Sequence, residues 1–119
     1  MALPLFSIVV ATFNYGRFLR RAGDSVLCQE GDDFDLTVVD DGSTDDTPAV
    51  LAAYSGRLQA LRQERQGVYL ACKRAFEATT GRFLIFLDAD DALCPGALAA
   101  LRRAIDRQPD VGLVAGRHV

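Results

Sequence analysis

"FLIFLDADDAL", residues 83 to 93, runs five apolar residues into three carboxylates, Asp88, Asp90 and Asp91. Continuous rather than alternating apolarity predicts a strand covered on both faces, as in a parallel sheet. The acids at its end are a poor device for stability, because clustered like charges repel and resist desolvation. They are a good device for holding a cation. In an extended segment residues two apart point the same way, so Asp88 and Asp90 are expected to share one ligand while Asp91 faces elsewhere. Carboxylates are hard donors suited to Mg²⁺ or Mn²⁺, which keep open positions for water and phosphate oxygens. The competing structural reading is a solvated acidic turn before a helix N-terminus.

Two similar runs lie upstream, "LFSIVVA" (5 to 11) and "FDLTVVD" (34 to 40). "RLQALRQ" (57 to 63) alternates and is expected near an edge, and "VGLVAG" (111 to 116) is the last candidate strand. Helical spacing fills the intervals. Phe18, Ala22 and Val26 share a face with Leu19 and Leu27 beside it, and Val50, Leu51 and Tyr54 form a second stripe. Val68, Ala71, Cys72, Ala75 and Phe76 form a third, and Leu98, Leu101 and Ile105 a fourth, with Pro95 in its first turn. Alternating βα units of this kind predict an α/β fold: a mostly parallel, doubly wound, Rossmann-like sheet of about five strands sandwiched by helices. The 119 residues suit a single domain.

The 13 basic and 16 acidic residues are scattered, with no basic footprint for nucleic acid. Cys28, Cys72 and Cys94 are widely spaced and have His118 as the lone histidine, which disfavours a disulfide framework or a zinc site. They read as small buried hydrophobes in a reducing compartment. "MALPLFSIVVATF" lacks a charged leader, is interrupted by Pro4 and is too short to span a membrane, so it reads as a strand. The expected location is cytoplasmic, or the cytoplasmic face of the membrane in a longer parent protein.

Ligands of such sheets gather at the carboxyl ends of the strands. The first strand exits through "TFN", where a planar base can stack on Phe13 beside the Thr12 hydroxyl and the Asn14 amide; alternatively Phe13 is core and Asn14 a helix cap. The second exits through "DDGSTDD". Gly42 permits a tight turn, Ser43 or Thr44 can cap the next helix, and Asp45 and Asp46 suit its first turn. That leaves Asp40 and Asp41, one suited to holding the turn and the other to a ligand donor such as a base N–H or a ribose hydroxyl. Lys73 and Arg74 face either phosphates or solvent.

"SIVVATFNYGRFLRRAGDSVLCQ", "FDLTVVDDGSTDDT", "RQERQGV" and "GRFLIFLDADDALCPGALAAL" resemble, in order and spacing, the successive motifs of the N-terminal half of a glycosyltransferase family 2 domain of the GT-A fold. The resemblance implies that Phe13 packs on the nucleotide base, that Asp41 binds the base and that Asp40 supports it or the ribose. It also implies that Asp88 lies near ribose and phosphate as the first acid of a DxD motif, and that Asp90 binds the divalent ion, Mn²⁺ or Mg²⁺. The implied reaction is inverting transfer of a sugar from a nucleotide-diphosphate sugar, a UDP-sugar, to an acceptor hydroxyl. Cys72 and Lys73 stand where the family often has Arg and Asn, and Lys73 substitutes for the missing charge.

The family's general base comes from a later segment, and Asp106 and Asp110 lie on or just after a helix packed away from the strand exits. Residues 1–119 are therefore expected to be a truncated donor half that binds nucleotide-sugar without the acceptor half. Two other classes compete. "LIFLDADDAL" also resembles the first motif of haloacid-dehalogenase-type phosphatases, but no Ser, Thr or Lys follows residue 91. A non-catalytic nucleotide-binding or assembly module would instead cover an exposed sheet edge by homo-oligomerisation.

Overall fold

Alternate side chains of a strand point to opposite faces, so a strand that is apolar at every position needs a cover on both. In the computed structural model, which describes residues 3–110 and 112, β1 (Phe6–Thr12), apolar but for Ser7 and Thr12, is covered in this way. Its Phe6, Ile8 and Val10 meet Leu36 and Val38 of β2 (Phe34–Asp41) in a core closed by α1 (Gly16–Leu27), α2 (Thr47–Ala52) and α4 (Ala97–Arg107). Val9 and Val39 point the other way, onto Ala71 and Ala75 of α3 (Val68–Glu77).

With β3 (Gln59–Gln63) and β4 (Phe83–Phe86), the described residues form a sheet ordered β3-β2-β1-β4, every pair parallel. This is the α/β arrangement read from the sequence, and β3 lies at an edge as its alternation suggests. The order reverses direction beside β1, since β2 leaves on one side and β4 on the other. That is the switch point at which α/β sheets open a crevice. Of the fifth candidate strand, 111–116, only Gly112 falls within the described residues. No helix among the described residues is long and apolar enough to cross a membrane.

Several local expectations need correction. In α3 only Ala71 and Ala75 are buried, whereas Val68 and Phe76 are 69% and 59% exposed. Periodicity located the helix, but the contact with Val9 and Val39 is made by two alanine side chains one turn apart, which leaves the bulkier residues on the flank. Cys28 and Cys94 are exposed and Cys72 is partly covered, all free. Cys28 caps the end of α1 and Cys94 lies in the connection before α4, so neither belongs to a buried stripe. Pro95 precedes the first residue of α4 by two positions, and Gly96, with φ 80°, turns the chain into the helix. Neither Ser43 nor Thr44 caps α2; Asp45 Oδ1 accepts from the Thr47 N–H at 3.0 Å and the Thr47 hydroxyl at 2.5 Å.

The β4–α4 connection is anchored to α1. Gln29, nearly buried, donates through Nε2 to the carbonyls of Ser25 and Cys94, both at 3.0 Å, and its Oε1 accepts from Leu98 N–H at 3.1 Å. Ser25 Oγ accepts from Leu93 N–H at 3.0 Å. These bonds fix where the acidic turn after β4 can lie.

Candidate functional site

The exit of β1 is set by Asn14, whose φ of 57° lies in the left-handed region that Asn tolerates better than most residues. Asn14 is not the cap of α1, a place taken by Tyr15. Its Oδ1 accepts from the N–H groups of Thr44 at 2.8 Å and Asp45 at 3.2 Å, and its own N–H donates to Ser43 Oγ at 2.9 Å. Gly16 N–H donates to Asp45 Oδ2 at 3.0 Å. The first and second strand exits are thereby stitched together. Just before them Thr12 is 2% exposed, and its hydroxyl oxygen is buried with no hydrogen-bond partner. A buried polar atom left unpaired is costly and commonly marks a place where something else binds.

Asp40 and Asp41 are adjacent in β2 and so serve opposite faces. Asp40 Oδ1 accepts from Ser43 N–H at 2.9 Å, and its Oδ2 accepts from Arg62 Nη1 at 2.5 Å, while Arg62 Nη2 donates to the Ser43 carbonyl at 3.0 Å. Asp40 therefore holds the turn. Asp41 Oδ1 accepts from Gln63 Nε2 at 2.9 Å and Gln66 N–H at 2.8 Å; its Oδ2 accepts from Gly67 N–H at 2.9 Å and Arg65 Nη1 at 3.3 Å. A carboxylate offers about four lone-pair directions, and here all are in use. Burial works to raise the Asp41 pKa, but these bonds and the Arg65 charge outweigh it and hold the group below its usual value.

Arg65 belongs to the loop that closes over Asp41, and its guanidinium carbon lies 3.5 Å from the centre of the Phe13 ring. The loop comes this close because residue 42 is glycine. Its φ is +81°, and a Cβ there would stand 2.8 Å from Arg65 N.

The exit of β4 departs from the extended geometry read from the sequence. The strand ends at Phe86, and Asp91 N–H donates to the Asp88 carbonyl at 3.0 Å, so the chain turns back on itself. Leu87 and Ala89 point into the core, and the acids point out. The turn brings Asp91 into the group instead of sending it away: Asp88, Asp90 and Asp91 each place a carboxylate oxygen within 4.8 Å of the others. Among the described residues no Lys or Arg pairs with any of them. Converging exposed hard oxygens without a counter-charge suit a divalent cation such as Mg²⁺ or Mn²⁺. Beside them, burial and the Asp88 carboxylate raise the Cys72 thiol pKa, which keeps it protonated and a poor nucleophile.

A hollow of about 760 Å³ joins these exits, lined by Thr12, Phe13, Asn14, Asp41, Asp88 and Asp90 together with Tyr15, Arg17, Arg65 and Val68. Six residues singled out in the sequence thus meet in one place. Two do not. Asp40 lines a separate, smaller hollow beside α2 and β3, and Lys73 is exposed, 3.8 Å from Glu77 one helical turn on. Sequence reasoning missed Arg17 and Arg65, the two cations of the hollow. Arg65 sits in the quoted "RQERQGV", but nothing in its spacing says that the loop folds back onto Phe13.

Residues 7–119 match the profile of the family described as Glycosyl transferase family 2. The PGL/p-HBAD biosynthesis glycosyltransferase of Mycobacterium tuberculosis (strain ATCC 25177 / H37Ra) is 41% identical over 97 residues, 78% of this chain and 38% of that protein. The crystal structure of S. aureus TarS in complex with UDP-GlcNAc is similar with a TM-score of 0.79 and 26% identity, covering 96% of this chain and 36% of that one. The mannosyltransferase PcManGT from Pyrobaculum calidifontis, solved with GDP-Man and Mn²⁺, shares the fold with a TM-score of 0.74 at 24% identity, covering 88% of this chain and 33% of that one. The chain thus spans about a third of each of these chains, the TarS one being its residues 1-349.

Proposed function

The chain belongs to glycosyl transferase family 2, and on that premise we propose that its hollow binds the nucleoside diphosphate portion of a sugar donor, a UDP-sugar, for transfer to an acceptor hydroxyl with inversion. The observation that carries this reading is the meeting of an aromatic ring, an unpaired buried hydroxyl and a cluster of exposed carboxylates in one hollow at the sheet's switch point. The Phe13 end offers a flat face and the buried Asp41, the chemistry of base recognition. The Thr12 hydroxyl has a free donor and free acceptor positions for a ligand oxygen or N–H. Arg17 adds positive charge on the wall.

Asp88 and Asp90, with Asp91 beside them, are the residues that would hold a divalent ion. When bound, such an ion neutralises charge that develops on a departing diphosphate. Committed to that role, these carboxylates are not assigned to deprotonating the acceptor. Asp40 and Asp41 are held by neighbouring donors, so we place the general base outside this hollow and read residues 1–119 as the donor-binding part. Calorimetric titration with UDP and a UDP-sugar, each with and without Mn²⁺ or Mg²⁺, tests the reading. Metal-dependent binding of both supports it, and absence of binding under every condition overturns it.

A further inference from the structure

If the nucleotide reading holds, a base entering this hollow needs two things that the protein's own Arg65 already occupies. One is a face of the Phe13 ring, over which the Arg65 guanidinium carbon stands at 3.5 Å. The other is a lone pair on Asp41, where Arg65 Nη1 donates at 3.3 Å. We propose that Arg65 is a resident stand-in for the nucleobase, a planar donor group held in the base's place, and that a nucleotide binds only by displacing it.

Saturation of Asp41 carries the inference. Its other three donors are the Gln63 amide and the backbone N–H groups of Gln66 and Gly67, at 2.8 to 2.9 Å. The two backbone donors cannot leave without unfolding the loop. Arg65 has the longest of the four bonds, and its side chain is 55% exposed, so it is the donor that gives way at least cost. A pyrimidine imide has the same combination of flat face and N–H donor, and it fits both vacated positions at once. A guanidinium on an aromatic face at an exposed site is held weakly enough to be displaced and firmly enough to lower affinity. Arg65 thereby sets a threshold at the base end alone: a base must offer both the ring and the donor to compensate for its release, which selects among bases for a flat face with an N–H donor and leaves diphosphate binding untouched.

The test uses the whole chain, with uridine, UDP and inorganic diphosphate plus Mn²⁺ as probes. In Arg65→Asn, uridine and UDP are expected to bind roughly fivefold more tightly than in the parent, with diphosphate unchanged. Arg65→Lys, which keeps the charge and loses the flat face, serves the same purpose should the Asn variant fold poorly. The parent supplies an independent signal in the Arg65 Nε–Hε resonance, which is shielded by the Phe13 ring in the free protein and is expected to lose that shielding at saturation with uridine. Weaker uridine binding in both variants, or a resonance that stays shielded at saturation, would show that Arg65 is a wall of the base site and overturn the proposal alone. Nucleotide binding to neither parent nor variants would remove the donor reading and this inference together.

Discussion

Asp41 opens the connection from β2 to α2 and Gly67 closes the one from β3 to α3, yet the Gly67 N–H donates to Asp41 Oδ2 at 2.9 Å, so the end of β2 holds the entrance to α3. With Gln66 N–H at 2.8 Å on the other oxygen, one carboxylate orders the loop that forms a wall of the hollow. Asp41→Asn turns one acceptor into a donor that faces other donors. The variant is expected to lose about 2–3 kcal/mol by urea denaturation.

The same substitution alters the response to acid. The folded-state pKa of Asp41 is depressed, so its contribution is fully present above about pH 4 and is lost as the pH falls through the lower folded value. Below about pH 4 the gap in stability between Asp41→Asn and the parent should therefore narrow. A gap that stays constant down to the lowest pH at which both fold would show that the ionised form carries no advantage.

Thr12 offers a sharper separation of stability from binding. Its hydroxyl is buried without a partner, so Thr12→Val, which keeps the branched shape, should leave the free protein as stable as before or more stable by about 1 kcal/mol. Affinity for UDP should fall, by roughly threefold to tenfold for one lost hydrogen bond. Loss of stability with unchanged UDP affinity would mean that the hydroxyl serves the fold.

Gly42 and Gly56 both have positive φ, but only Gly42 is crowded, with Arg65 N where a Cβ would come within 2.8 Å. Gly56→Ala should cost about 1 kcal/mol of backbone strain. Gly42→Ala should cost about 2 kcal/mol or more, because the loop over Asp41 must also lift. Equal losses in thermal unfolding would count against the close approach of that loop.

Tyr54, at the end of the α2 region, donates to Asp24 Oδ1 of α1 at 2.6 Å. Burial, followed by this carboxylate, pushes its pKa up to about 12. A raised pKa means that the stability is complete below about pH 10 and lost as the pH rises through about 12. Tyr54→Phe is expected to flatten this alkaline decline in a pH series of melting curves.

Much of this architecture was legible in the residues themselves. Ile8 through Val10 are apolar on both faces because helices cover both, and that run marks β1 as a buried parallel strand. The equally apolar run of β4 reads the same way, yet β4 lies at an edge of the described sheet with Phe86 59% exposed. Exit residues such as Phe13, Asp41 and Asp88 could be placed at one edge because parallel strands all end on the same side. Geometry beyond the strand ends was not legible. The turn that draws Asp91 back to Asp88 follows from one backbone hydrogen bond, and the placing of Arg65 depends on a contact with Phe13, fifty-two positions earlier in the chain. Alternation rules stop where the strand stops.

The most direct test of the donor site is thermal stability with UDP and Mn²⁺ added singly and together, in the parent and in Asp90→Ala. A ligand that binds only the folded chain raises its melting temperature. The parent should show a larger rise with both ligands than the two separate rises combined, and Asp90→Ala should lose that excess. No rise in the parent, or the same rise in Asp90→Ala, would contradict a metal-assisted nucleotide site at this edge of the sheet.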